Sequence, residues 1–461
     1  MGVSHKFNNN NMIHKPTTEE ELNKLIRLKS VNPGDTIVLP SKLQLNRIIK
    51  LTDVNIVGEG DHPLDTVLYP QQGQAFRLTS TQPGSVRVEN LTTVGGGTVF
   101  DIDGDGAIVT DVISIKGNKP FKFSGDNHQF LKSLMYQCEV NGVEINGGFY
   151  NLFGIEDIRL KREIGLIPNQ PPQHTWTSTQ LEVLKDLYFN RDMNFLMDGV
   201  AFVECGAFGG NTYGGAAKLV PAVGGVTLRN NIGYKNLNFL WIDTPSSVKN
   251  VVHNNYAFET LDDAYFFEIG VNDSGKVDFY DNFSWGVNTA MFNSTVSDIK
   301  SWGNELYFRN IGKWVNGVAG VREDFKLSQI TPDGKTPDKV ISMDPVLFKA
   351  YTGKHQRAVY DMDKDVRLYL EEPLFGNSNI EATNAQKFPL VPTTASKTEW
   401  PSVPQAVLDH PYIPNRVLLE IKESMTPRDL KTILDFKAEV VENVNVILAD
   451  HERRITILEN K

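Results

Sequence analysis

The sequence predicts an all-β chain: a parallel β-helix capped by an N-terminal amphipathic helix and followed by a C-terminal coiled-coil helix. Three observations predict it. Short strand-like segments recur at a nearly constant interval along most of the chain. Glycine and asparagine are plentiful, with 37 glycines, which suits repeated tight corners better than long helices. Apolar residues in the last segment follow a seven-residue rhythm.

The chain has 461 residues, enough for a large core and more than one domain. Its formal net charge is -10. An acidic surface argues against nucleic acid or an anionic membrane as partner, because phosphate binding needs basic residues. The two cysteines, Cys138 and Cys205, make neither a metal-ligand spacing nor a disulfide framework, so they read as small buried residues. Residues 1–16 are polar and read as a flexible arm, with neither signal peptide nor membrane span. On that reading, work outside a cell requires release by lysis rather than secretion.

Residues 17–40 form a cap and a first strand. Thr18 and Glu21 have the spacing of a capping box, and Leu22, Leu25 and Ile26 share one helical face. Pro33-Gly34 then turns the chain into the strand Thr36–Leu39. Stacked strands leave an open end with a raw core, and a helix laid across it would seal that end.

Residues 41–319 carry the repeat. "VRVENLTTV" (86–94), "IVTDVISIK" (108–116), "FLKSLMYQC" (130–138) and "GIEDIRLKR" (154–162) place Leu91, Val112, Leu134 and Ile158 at intervals of about 21 to 24 residues. A second series, "VTLRNNIGYKN", "VVHNNYAFET", "VDFYDNFSWGV" and "LYFRNIGKW", places Asn231, Asn255, Asn282 and Asn310 at a slightly longer interval. "LMDGVAFVEC" (196–205) lies between the two series. A repeat of this length, mostly strand, fits a coil of a β-helix, and an asparagine at one corner of each coil can pass hydrogen bonds from turn to turn. Leucine-rich repeats and propeller blades fit less well, lacking the helix per repeat or the hairpins they require.

Residues 320–387 lose the rhythm and read as a small subdomain or the closing end of the β-helix. Residues 388–425 are proline-rich and read as an extended connector. Residues 426–461 read as a coiled coil, with Leu434, Val441, Leu448 and Ile455 in one register and Val444 and Leu458 in the other. An apolar stripe of that length needs a partner, either the chain's own β-helix or further copies. Self-association as a homotrimer is the expected assembly.

The opening "EEELNKLIRLKSVNPGDTIVLP", followed by "LTDVNIVGEG", resembles the start of proteins in the pectate-lyase-like right-handed parallel β-helix superfamily, and the likeness runs over roughly residues 17–315. That superfamily includes polysaccharide lyases, glycoside hydrolases and bacteriophage tailspikes. The resemblance, joined to the terminal heptads, implies a tailspike or baseplate-associated virion protein, made in the host cytoplasm and released by lysis. Its expected partners are its own copies, other tail proteins and host surface polysaccharide. A stand-alone polysaccharide lyase or hydrolase and a non-catalytic tail adaptor are the alternatives.

Two fragments resemble family-nine polysaccharide lyases. "GGAAKL" (214–219) is similar to a segment flanking that family's calcium site, and "AFETLDDAYFFE" (257–268) is similar to its paired-aspartate segment, which makes Asp262 and Asp263 the candidate calcium ligands. The sequence departs from the pattern at Tyr213 and Gly214, at Phe266, and in "VNTAMFNS", which has no lysine where the family's base stands. No other cofactor is expected. If the chain cleaves polysaccharide, Asp262, Asp263 and Glu268 are the candidate acids or metal ligands and Lys218 the candidate base. Hydrolysis needs two carboxyl groups flanking the bond, and Asp243, Glu259, Asp262, Asp263 and Glu268 fall on neighbouring coils. Asp243, Trp241, Tyr265 and Trp285 are the candidate carbohydrate contacts, because aromatic faces stack on sugar rings while carboxylates bond hydroxyls. "DIDGDG" (101–106) matches the front of a calcium loop but has Val112 at the closing position, so it reads as a turn between coils.

Overall fold

The computed structural model describes residues 11–71, 73–146, 177–180, 182–183, 192–206, 214–220, 224–243, 248–268, 276–287, 289–293, 298–309, 315–316, 320–321, 331–343, 362–373 and 401–426. Apart from the short antiparallel pair Val315–Asn316 and Gly320–Val321, their strands stack in parallel into a solenoid with three faces. The first face runs from Thr36–Leu39 to Asp298–Trp302, the second from Lys42–Leu45 to Lys339–Met343, and the third from Ile49–Thr52 to Thr289–Asn293. The chain is thus a β-solenoid. Two long strands, Arg87–Val94 and Ile108–Ile115, each span both the first and the second face.

Register stacks like on like. On the third face, Phe76, Phe100 and Phe121 lie over one another and point into the core. Their rings are nearly parallel at 5.1 and 5.2 Å, close to the ~4.8 Å spacing of neighbouring strands. The corner between first and second faces needs a left-handed residue, and Asn230, Asn254, Asp281 and Gly303 supply it, with φ of 54°, 54°, 52° and 67°. Asparagine, aspartate and glycine are the residues that tolerate this conformation most readily.

Beside that corner runs a buried asparagine ladder. Asn231 Nδ2 donates to Asn255 Oδ1 at 2.9 Å, Asn255 Nδ2 to Asn282 Oδ1 at 3.0 Å, and Asn282 Nδ2 to Asn304 Oδ1 at 3.0 Å. Asn304 Nδ2 then reaches Asp338 Oδ1 at 2.7 Å. The fourth rung is Asn304, not Asn310, which lies outside the described residues. The first repeat series needs a similar correction. Leu91 does stack on Val112, but the coil after Gln129–Leu131 and Leu134–Tyr136 is formed by Phe195–Asp198 and Ala201–Val203. The segment 154–162, expected as the next repeat, lies outside the described residues.

The N-terminal end is closed as expected. Helix α1 (Glu19–Arg27) begins at Thr18, whose hydroxyl accepts from Glu21 N, and Leu22 is buried in the solenoid core. The reciprocal capping bond differs: Glu21 accepts from the amide and hydroxyl of Thr17. Part of the arm is also ordered by pairing. Ile13–His14 adds a short strand beside Thr36–Ile37, and Asp35 holds it through Met12 N at 2.8 Å and His14 Nε2 at 2.9 Å.

Past residue 319, Lys339–Met343 pairs with Glu305–Arg309 and so extends the second face, as a closing end of the solenoid would. The connector expected over 388–425 is not extended in its described part. Residues 401–426 contain helices, as do residues 362–373. These are α2 (Val366–Glu371), α3 (Gln405–Leu408) and α4 (Asn415–Met425). They form a strap over the outside of the second face, whose outward residues there are as apolar as the core. Ile115, Tyr136, Val203, Tyr234 and Phe258 make one buried cluster with Tyr369, Val407, Val417 and Ile421. The heptad residues Leu434, Val441, Val444, Leu448, Ile455 and Leu458 lie outside the described residues.

Candidate functional site

With the second face covered by the strap, the outward side of the third face brings the sequence candidates together. Along each strand, alternate residues leave the core. Lys218 on Gly215–Val220 therefore lies next to Trp241 on Leu240–Asp243, and Trp241 next to Phe266 on Asp263–Glu268. Lys218 Nζ sits 3.5 Å from the centre of the Trp241 ring and 3.9 Å from Asp243 Oδ2. Phe266 also stacks on the Trp241 ring, at 4.8 Å. Glycine permits the approach to this strand. A Cβ on Gly214 would come within 2.8 Å of the carbonyl oxygens of Gly206 and Val140.

The paired aspartates separate. Asp262 is half-buried at the corner entering the third face, where its amide donates to Leu237 O at 2.8 Å. Asp263 is 1% exposed and its amide donates to Asn238 Oδ1 at 3.1 Å. Asp262 lies in the bend before the strand and Asp263 begins the strand as a buried residue, so the two differ in setting and exposure. Glu268 occupies the register position beside Asp243. Among the described residues, no group of three or more His, Cys, Asp or Glu side chains is arranged to hold a metal ion.

Three of the four carbohydrate candidates are corrected. Trp241 is 2% exposed, with Lys218 and Phe266 against its ring, so it offers no face to a sugar. Tyr265 is wholly buried in the solenoid, and its hydroxyl donates to Asn255 O at 2.9 Å and lies 3.0 Å from Phe283 O. Burial pushes its pKa well up. Trp285 is equally buried, in the second-face cluster against Tyr307. Neither can meet a sugar. Glu259 also leaves the acid group, since it ends a second-face strand and lies 3.8 Å from Lys235. The "DIDGDG" motif is the end of a strand, Thr98–Asp105, rather than a turn. Asp101 accepts from Gln74 Nε2 at 2.8 Å and Arg77 Nε at 3.2 Å, and Asp105 from Asn127 Nδ2 at 2.6 Å.

Two further constellations carry little signal in the sequence. On the first face, His253, Tyr280 and Trp302 stack at 4.8 and 4.5 Å, nearly parallel, above the Arg229–Asp198 pair. Only their spacing of one coil apiece could have revealed them. Beneath the strap, Arg416 Nη1 meets Glu204 Oε1 at 3.2 Å and Glu420 Oε1 at 3.1 Å, while Lys235 reaches Glu420 at 2.7 Å and Tyr234 also bonds Glu420. Burial works to raise the Glu420 pKa, yet Lys235, Tyr234 and Arg416 pull it down to about 2. Those partners come from segments far apart in sequence, so no local motif marks them.

No protein-family model and no curated protein matches the sequence. Solved structures that resemble this chain include alginate lyases. The PL6 family alginate lyase AlyGC has 13% sequence identity and a TM-score of 0.40, over 64% of this chain and 39% of that one. A point mutant of it gives 14% identity and the same TM-score, over 64% and 38%. An alginate lyase from Paenibacillus sp. str. FPU-7 has 12% identity and a TM-score of 0.38, over 64% of this chain and 95% of that one. This chain thus spans about two fifths of the length of the first structures it matches, and the likeness is one of fold.

Proposed function

We propose that the chain is a polysaccharide-contacting protein, a tailspike-like component of a phage tail or baseplate that assembles as a trimer. The observation that carries the polysaccharide reading is the Lys218–Trp241–Asp243 cluster. It sets a cation and a carboxylate together on the outward side of a rigid face, with the buried Trp241 ring holding the ammonium in place. Those groups suit an acidic sugar: the ammonium takes its carboxylate and Asp243 accepts from its hydroxyls. The heptads of 426–461 support the assembly, and host surface glycan is the ligand such a spike would meet. Cleavage is a further step of the same proposal, with Asp243 and Glu268, at paired register positions on neighbouring strands, as the residues to test for it.

Binding of bacterial surface polysaccharides, acidic and neutral, to the purified full-length chain tests the reading. An acidic polysaccharide should bind, and Lys218→Ala and Asp243→Ala should each weaken it about tenfold, or about 1.4 kcal/mol. Lys50→Ala, on an exposed third-face position many coils away, should leave binding unchanged. Retention of wild-type affinity by both cluster variants would remove the site, and failure of the wild-type chain to bind any of the panel would remove the function. Release of shortened chains from the bound polysaccharide would add enzymatic activity.

A further inference from the structure

We infer that the strap-covered second face is the side each solenoid turns toward its copies. The inference rests on the trimeric reading above and names the surface that reading leaves open. Helix α4 ends at Met425, and the first heptad residue, Leu434, follows nine residues later. It is pinned along its length: Val417, Ile421 and Met425 are buried against the second face, Arg416 pairs with Glu204, and Glu420 with Lys235. The heptad segment therefore starts on the flank of the solenoid, beside the coils of Tyr234 and Phe258, and not at a solenoid end.

Helices that associate through an apolar seam run about 8–10 Å apart. In a parallel assembly of the heptads, the Leu434 residues of all copies would converge to about that separation. Each Met425 is fixed to its own second face and lies nine residues before Leu434, so the second faces must gather about the common axis within the reach of that span. The strap surface fits such a neighbour. Leu419 on α4 is 65% exposed and Leu368 on α2 is 54% exposed, large apolar side chains on the outside of an element whose inner side is already satisfied. The ligand-facing third face is then turned away from the axis, where a polysaccharide can reach it. The occupant of the strap's outer side is a second copy of this chain.

Cysteine cross-linking in the full-length chain tests this. The native Cys138 and Cys205 are fully buried and stay silent to a bis-maleimide reagent. Leu419→Cys should cross-link between copies, giving a dimer-sized band on a denaturing gel, whereas Lys300→Cys, on an exposed first-face position, should not. Light scattering on the same samples separates the two possible failures. A trimeric mass with no Leu419→Cys product, or with an equal product from Lys300→Cys, overturns the inference and leaves the trimer standing. A monomeric mass overturns both.

Discussion

His410 illustrates how one buried side chain ties stability to pH. It lies in the strap with Nε2 2.9 Å from Gly199 O and Nδ1 3.3 Å from Tyr412 N. Desolvation pushes its pKa down to about 4, and the bond to Gly199 offsets this only in part. The ordinary value is 6.5, so between 6.5 and about 4 the unfolded chain binds a proton that the folded chain refuses. Stability should therefore fall as pH drops through that window, by on the order of 3 kcal/mol at the lower end. Glu420, with its pKa near 2, has the opposite protonation chemistry but the same sign of effect at lower pH: its contribution is complete above 4.5 and is lost as pH falls toward 2. The two windows can be told apart. Urea midpoints measured from pH 7.5 to 4.5 should decline for the native chain and decline less for His410→Gln, whose amide can still donate to Gly199 O. Equal slopes for the two proteins would show that His410 is not the group responsible.

At the scale of elements, the asparagine ladder has a direction, and the direction predicts which substitutions it tolerates. Each interior rung accepts from the coil before it and donates to the coil after it, so it needs an amide. Asp338 at the end accepts from Asn304 N, Asn304 Nδ2 and Ser301 Oγ, and a carboxylate suffices there. Asn255→Ala would strand the amide and side-chain donors of Asn231 and the Leu228 carbonyl in the core, a cost of about 3 kcal/mol. Asn255→Asp removes the donor and should also destabilise, whereas Asp338→Asn, which keeps an acceptor for Asn304 and loses only the one that Ser301 Oγ uses, should cost less than Asn255→Ala. Denaturant unfolding of the three variants checks the order, and an Asp338→Asn cost as large as that of Asn255→Ala would refute the directional reading. The ladder was legible in the sequence because its rungs recur once per coil. Its last rung was not, because Asn304 and Asn310 both sit near the expected interval and only the strand register of Glu305–Arg309 against Phe283–Val287 separates them. The candidate site was half legible for a related reason. Lys218 and Asp243 are the polar residues of the otherwise apolar strands Gly215–Val220 and Leu240–Asp243, so their outward side could be read, whereas Trp241 stands between two apolar neighbours. Trp285 sits on a strand apolar on both sides, and Tyr265 in a segment crowded with aromatics, so alternation gives no guide to which way they face.

For the whole molecule, the fold could be read from local periodicity, but the strap could not. Its proline-rich sequence reads as a linker, and its apolar residues, Val407, Ile413, Val417 and Ile421, acquire meaning only against the second face they cover. The same face explains why the strap is needed. Val203, Tyr234, Phe258 and Trp285 form a continuous apolar stripe, and such a stripe left in water drives association. A chain ending at residue 400 should therefore keep its solenoid, because the strand ladders and the inner core do not involve α3 or α4. It should nevertheless bind a hydrophobic dye and form heterogeneous aggregates. Ile421→Asp in the full chain should give a milder version, placing a charge against the stripe and raising hydrogen exchange across 415–425 while exchange in the core strands of the third face stays slow. A truncated chain that remained monodisperse and bound no dye would mean that the stripe does not need the strap as its cover.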